Sequence, residues 1–189
     1  MSNQERRSIA DHEEFFNSAF EEKPVHLKPG ETVFSDSDQE MIVASVGSGV
    51  ILSIYDEVLH FGAAGYVLLS DELLAAFPHF DRADPKLLDK AFQPIVDCIG
   101  HLKRHGAAKN RVRVRLIGGS QVPGYDDDRG TKNYIFAREY ITRKGLSLMN
   151  EDMGGSHVRR IHFFPTSGKL VRRILRRNDD IAHIKTIEQ

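Results

Sequence analysis

Two apolar runs, MIVASV (residues 41–46) and VILSIY (50–55), stand on either side of Gly47-Ser48-Gly49. Both are rich in β-branched residues and too short for a globular helix, so the pattern predicts a pair of buried strands joined by a tight link. AAGYVLLS (63–70) predicts a third strand, and residues 71–83 a short helix and loop. Asp84-Pro85 predicts a helix start, with aspartate at the N-cap and proline at the first helical position. Leu88, Phe92, Ile95, Ile99 and Leu102 recur at helical spacing, Pro94 predicts a kink in that helix, and Gly106 ends it. RVRVRLI (111–117) alternates as a strand does. A loop over 118–130 leads to a helix carrying Ile135, Phe136, Tyr140 and Ile141, capped by Thr131 or a preceding aspartate and closed by Gly145. LSLM (146–149) predicts a short strand and DMGG (152–155) a turn. VRRIHFF (158–164) and KLVRRIL (169–175) around Pro165-Thr166-Ser167-Gly168 predict a C-terminal β-hairpin. Strands, helix, strand, helix, hairpin is an α+β order rather than a regular α/β alternation.

The flanks read differently. Asp11 can cap an amphipathic helix over 12–21, with Phe15, Phe16 and Phe20 near one face, broken by Pro24. This divides the chain into an N-terminal helical extension (1–24), one domain (25–177) and a polar, weakly helical tail (178–189). The 189 residues suit a single core. A formal net charge of −1 supplies no whole-chain attraction to nucleic acid or anionic membrane. No apolar run nears the roughly 20 residues that span a bilayer, and the N-terminus has no secretory pattern. Cys98 is the single cysteine, so no intrachain disulfide forms. Together these predict a cytoplasmic protein without membrane insertion.

An ordered set of short motifs carries a resemblance. It comprises Pro29-Gly30-Glu31, Gly47-Ser48-Gly49-Val50, Tyr55-Asp56 and the segment Gly62 to Tyr66. Gly118-Gly119-Ser120, Gly130-Thr131-Lys132-Asn133, Asp152-Met153-Gly154-Gly155 and Thr166-Ser167-Gly168-Lys169 complete it. In order and spacing, over residues 25–176, the chain resembles the CheD family, the chemoreceptor glutamine deamidases of bacterial chemotaxis. The resemblance implies a mixed fold, a β-sandwich-like centre flanked by helices, like the catalytic domain of bacterial cytotoxic necrotizing factor. It also implies hydrolysis of a glutamine carboxamide by a cysteine, a histidine and an orienting threonine. Carried over position by position, the cysteine falls on Gly49, the histidine on Tyr66 and the threonine on Val43. Glycine has no nucleophile, a tyrosine of ordinary pKa about 10 is a poor base at neutral pH, and valine has nothing with which to orient one. The expectation is a pseudo-deamidase that binds a chemoreceptor's cytoplasmic region or a CheC-type phosphatase, with no cofactor and no metal. The alternative is an amide hydrolase with a relocated nucleophile.

Ser45, Ser48, Gly118, Gly119 and Ser120 are the neighbouring candidates for the pocket. Ser48 is the nearest replacement nucleophile, and its ordinary role is to bond backbone within the turn. Asp56 reads as a turn former, and Cys98, between Ile95 and Ile99, as a buried inert thiol. His101 and His105 share a helix face but lack a third ligand nearby, and His157 and His162 fall on opposite strand faces. The predicted pocket fills with its own replacements: the Tyr66 ring over Gly49, its hydroxyl reaching solvent or backbone. Arg111, Arg113 and Arg115, with the arginines of the final hairpin, are interrupted by aspartates and read as solvated faces or an acidic-protein surface rather than a nucleic-acid site.

Overall fold

The computed structural model describes residues 19–76, 83–122, 128–176, 184 and 188. Its strands are β1 (Lys23–His26), β2 (Thr32–Ser35), β3 (Glu40–Val46), β4 (Val50–Asp56), β5 (Phe61–Val67), β6 (Val112–Gly118), β7 (Leu148–Met153), β8 (Val158–Phe164) and β9 (Lys169–Leu175). Its helices are α1 (Asp71–Ala76), α2 (Pro85–Ala91), α3 (Gln93–Arg104) and α4 (Arg129–Arg143).

The two apolar runs that flank Gly47-Ser48-Gly49 are both strands, but they do not pair with each other. β3 belongs to a four-stranded sheet, β1-β3-β8-β9, and β4 to a five-stranded sheet, β2-β5-β4-β6-β7. The glycine-rich link is therefore the joint at which the chain passes between sheets. Period-2 alternation explains the layers. From β3, Ile42, Ala44 and Val46 meet Ile51, Ala64, Tyr66 and Ile117 of the other sheet in one apolar cluster. Val50, Leu52, Ile54, Ala63 and Val67 point the other way, onto Leu88, Phe92, Ile95 and Leu102. Four-stranded sheet, five-stranded sheet and helices thus form three layers, an α+β domain with a sandwich centre. Each fully buried large apolar side chain in these layers contributes about 1.5–3 kcal/mol of transfer free energy.

Asp84 caps α2 as its sequence predicts, accepting from the Lys86 N–H at 2.9 Å. The single kinked helix expected around Pro94 is instead two helices, with the break at Phe92. Proline in mid-helix clashes with the carbonyl four residues back, whereas in a first turn its missing N–H costs nothing. The chain adopts the second arrangement. Two further boundaries differ. β7 begins at Leu148 and runs through Asp152 and Met153, where a turn is expected, because it pairs in parallel with β6. Lys23–His26 pairs in parallel with β3, so the four-stranded sheet starts inside the expected extension, and Pro24 sits in a strand. Most of the helix expected over 12–21 lies outside the described residues; residues 19–21 are turn and bend. Phe20 packs against the rings of His162 and Phe164.

Candidate binding site at the joint between the sheets

Gly47, Ser48 and Gly49 present three successive backbone N–H groups, a concavity of the kind that holds anions. The carbonyls of the two glycines are already engaged: Gly119 donates to Gly49 O at 2.7 Å and Ser120 to Gly47 O at 2.8 Å. The N–H groups converge on one carboxylate, that of Glu188. Gly47 N–H (2.9 Å), Gly49 N–H (3.2 Å) and the Tyr66 hydroxyl (2.6 Å) donate to Oε1. Ser48 N–H (2.8 Å) and Ser48 Oγ (2.7 Å) donate to Oε2. Glu188 is 2% exposed. Its own N–H donates to Ile184 O at 3.0 Å, one helical turn back. Ile184 in turn packs with Val122, Val158 and Leu175. Of the expected polar tail, the described residues Ile184 and Glu188 are both buried.

Tyr66 and Gly49 meet. A Cβ at position 49 would lie 2.6 Å from the Tyr66 ring and 3.0 Å from Val67 O, so the ring occupies the space a side chain there would need. The Tyr66 ring is fully buried over Gly49, as the sequence predicts, and its hydroxyl meets the Gly47 backbone rather than solvent. It donates to Glu188. Burial first, and then the adjacent carboxylate, push the phenol well above its ordinary pKa of 10.0. Tyr66 is therefore a fixed donor and not a base.

Val43 is not brought to this pair. It packs with Met41 and Phe164 on the outer face of the four-stranded sheet, whereas its strand neighbours Ala44 and Val46 face the sandwich. Ser45 shares Val43's face and accepts from Arg160 at 3.2 Å. Gly118 lies against Gly49 with positive φ, and a Cβ there would collide with the Gly49 carbonyl, so glycine is required for the close approach. Ser120 is a structural tie: its hydroxyl donates to His157 O at 2.8 Å and accepts from Arg159. Of the sequence candidates, then, Ser48, Gly49 and Tyr66 form the site, Gly118, Gly119 and Ser120 support its joint, and Val43 and Ser45 stand elsewhere. Glu188 was not among them. A lone glutamate in a polar tail, 122 to 141 positions from its partners, carries no local signal.

The remaining candidates have structural occupations. Asp56 Oδ1 accepts from the N–H groups of Val58 (2.9 Å) and Leu59 (3.2 Å), as a turn former does. Burial opposes its charge, but Arg111 and these N–H groups hold its pKa below the usual carboxylate value. Cys98 is fully buried, and that burial raises its thiol pKa strongly. His101 and His105 both stack on Phe34. Arg113 pairs with Glu57, Arg115 donates to Gly168 O, and Asp152 receives Arg159 and Arg172, so the basic residues are tied into the surface. No helix among the described residues is long and apolar enough to cross a membrane.

A family model described as CheD chemotactic sensory transduction matches residues 91–174, beyond the joint itself. A probable chemoreceptor glutamine deamidase CheD of Vibrio vulnificus (strain CMCP6) is 30% identical over 175 residues, spanning 84% of this chain and 77% of that one. The corresponding protein of Jannaschia sp. (strain CCS1) is 29% identical over 143 residues, 76% of this chain and 77% of its own. A CheD 2 of Burkholderia thailandensis is 29% identical over 177 residues, 93% and 88% of the two chains. Among solved structures, a Neisseria meningitidis protein of family-model DUF152 aligns with a TM-score of 0.47 at 9% identity, over 76% of this chain and 69% of that one.

Proposed function

Because the chain belongs to the CheD family, we propose that it is a member that binds its partner without deamidating it. The partner is a chemoreceptor's cytoplasmic region or a CheC-type phosphatase. One observation carries the reading: at the joint where a covalent deamidase would need a nucleophile there is glycine, and the surrounding donors are all directed at Glu188. Hydrolysis of a carboxamide through a covalent intermediate needs an attacking group, a base and donors for the developing oxyanion. Gly49 offers no attacking group, and Tyr66 holds its proton. Binding surfaces and catalytic groups are separable on one scaffold, so the loss of one leaves the other.

The rival reading, a relocated nucleophile, has one observation in its favour: Ser48 Oγ lies 2.7 Å from the Glu188 carboxylate, within reach of a base. The same geometry opposes it. Glu188 also occupies the three backbone N–H groups that would have to receive a substrate oxygen. Bringing a carboxamide to those donors displaces Glu188, and the base leaves with it. Base and substrate therefore exclude one another.

The test is incubation with a receptor cytoplasmic fragment, read by mass spectrometry for the +1 Da conversion of glutamine to glutamate. The expected result is no conversion. Conversion that disappears in Ser48→Ala or Cys98→Ala would overturn the proposal and identify the nucleophile.

A further inference from the structure

From the donor geometry at the joint, we infer that Gly47, Ser48, Gly49 and Tyr66 form a carboxylate-recognition site that takes a glutamate side chain in preference to a glutamine, with Glu188 as its resident ligand. Every polar group facing the ligand is a donor. Oε1 receives two backbone N–H groups and the phenol, and Oε2 receives a backbone N–H and a hydroxyl. An ionised carboxylate is an acceptor at both oxygens and satisfies all of them, whereas a carboxamide has one acceptor oxygen and an NH2 that only donates. In either orientation the NH2 would face a backbone N–H: that of Ser48 at one position, those of Gly47 and Gly49 at the other. The serine and tyrosine hydroxyls can rotate to accept, but backbone N–H groups cannot. A donor facing a donor in a buried site costs both partners their hydrogen bonds.

The site lies where the chain's two sheets join and is walled by the Tyr66 ring, the main chain and the side chains of Val122 and Ile184, so its shape is set by the fold. A glutamate on a partner's protein segment competes with Glu188 for the same donors. For the partner's identity the inference rests on the non-catalytic reading: a receptor position already carrying glutamate is the ligand, and one carrying glutamine is not. Its chemistry stands on the donor set alone and is read without an activity assay, so a failure here and a failure of that reading are separable.

Glu188→Ala in the full chain removes the carboxylate and the methylene that bears it, which together are an acetate ion. Thermal unfolding of this variant is followed against sodium acetate, against acetamide and against sodium chloride at matched ionic strength. The expected result is a rise in Tm with acetate only, about 3 °C at ten times its dissociation constant and logarithmic in concentration above it, with no such rise in the wild type. An equal response to acetamide, or none to acetate, would overturn the inference. Glu188→Gln keeps the side chain's shape and serves if the alanine variant does not fold. Its Tm should fall below that of the wild type, and a wild-type Tm would show that the site does not distinguish carboxylate from carboxamide.

Discussion

Truncating Tyr66 probes the packing and the polar contact of the joint separately. The ring has no exposed surface and lies against Gly49, which has no side chain to move into the space. Removing a buried aromatic ring costs about 3–5 kcal/mol, the larger figure applying where the surroundings cannot collapse. The hydroxyl also donates to a carboxylate at 2.6 Å. A hydrogen bond to a charged group is worth about 1.5–3 kcal/mol. Tyr66→Ala should therefore cost about 5 kcal/mol or more, a large share of the roughly 5–15 kcal/mol that holds a domain folded. Tyr66→Phe keeps the ring and should cost about 1.5–3 kcal/mol. Both are measured from urea unfolding curves with linear extrapolation, and the comparison is valid where m is unchanged. A loss under about 1 kcal/mol for Tyr66→Ala would mean that the ring is not packed. No loss for Tyr66→Phe would refute the coupling of the phenol to Glu188.

Two further outcomes are expected. Gly49→Cys alone should show no deamidation by mass and should lose about 1–3 kcal/mol of stability, because its Cβ enters the Tyr66 ring. Adding Tyr66→His should recover part of that loss; robust activity in the single variant would overturn the assignment of Tyr66 to the base position. The second concerns His162, which is fully buried; burial first, then the charges of Arg160 and Arg173, lower its pKa from 6.5 to about 4. Between those values the unfolded chain binds a proton that the folded chain does not, so stability should fall as pH drops from about 6.5 to 4. His162→Leu should flatten the urea midpoint over that window, and an unchanged slope would refute the assignment.

How much of this was legible from the sequence depends on the range of the interaction. The strands of the sandwich, the Asp84 cap and the final hairpin follow from periodicity and turn chemistry, which act over a few residues. The assignment of β3 and β4 to different sheets does not, because three linking residues suit either a pair or a crossing. The packing of Tyr66 over Gly49 was readable from side-chain volume. The placement of Val43 was not. Motif spacing counts residues along a strand, whereas membership of a pocket depends on which face each residue takes. Glu188 was invisible for a different reason: its role is defined wholly by donors near position 47, and a carboxylate in a charged segment looks like any other.

The three amides of Gly47, Ser48 and Gly49 all donate to one side chain rather than to a neighbouring strand. Their exchange with solvent deuterium is consequently set by a single event, the departure of Glu188, and not by the opening of either sheet. The three should exchange at a common free energy of opening, below that of the β4 ladder beside them. In an exchange profile they would form a short window of matched protection inside a slower region. The width of that window would report how often the joint stands open while both sheets remain intact.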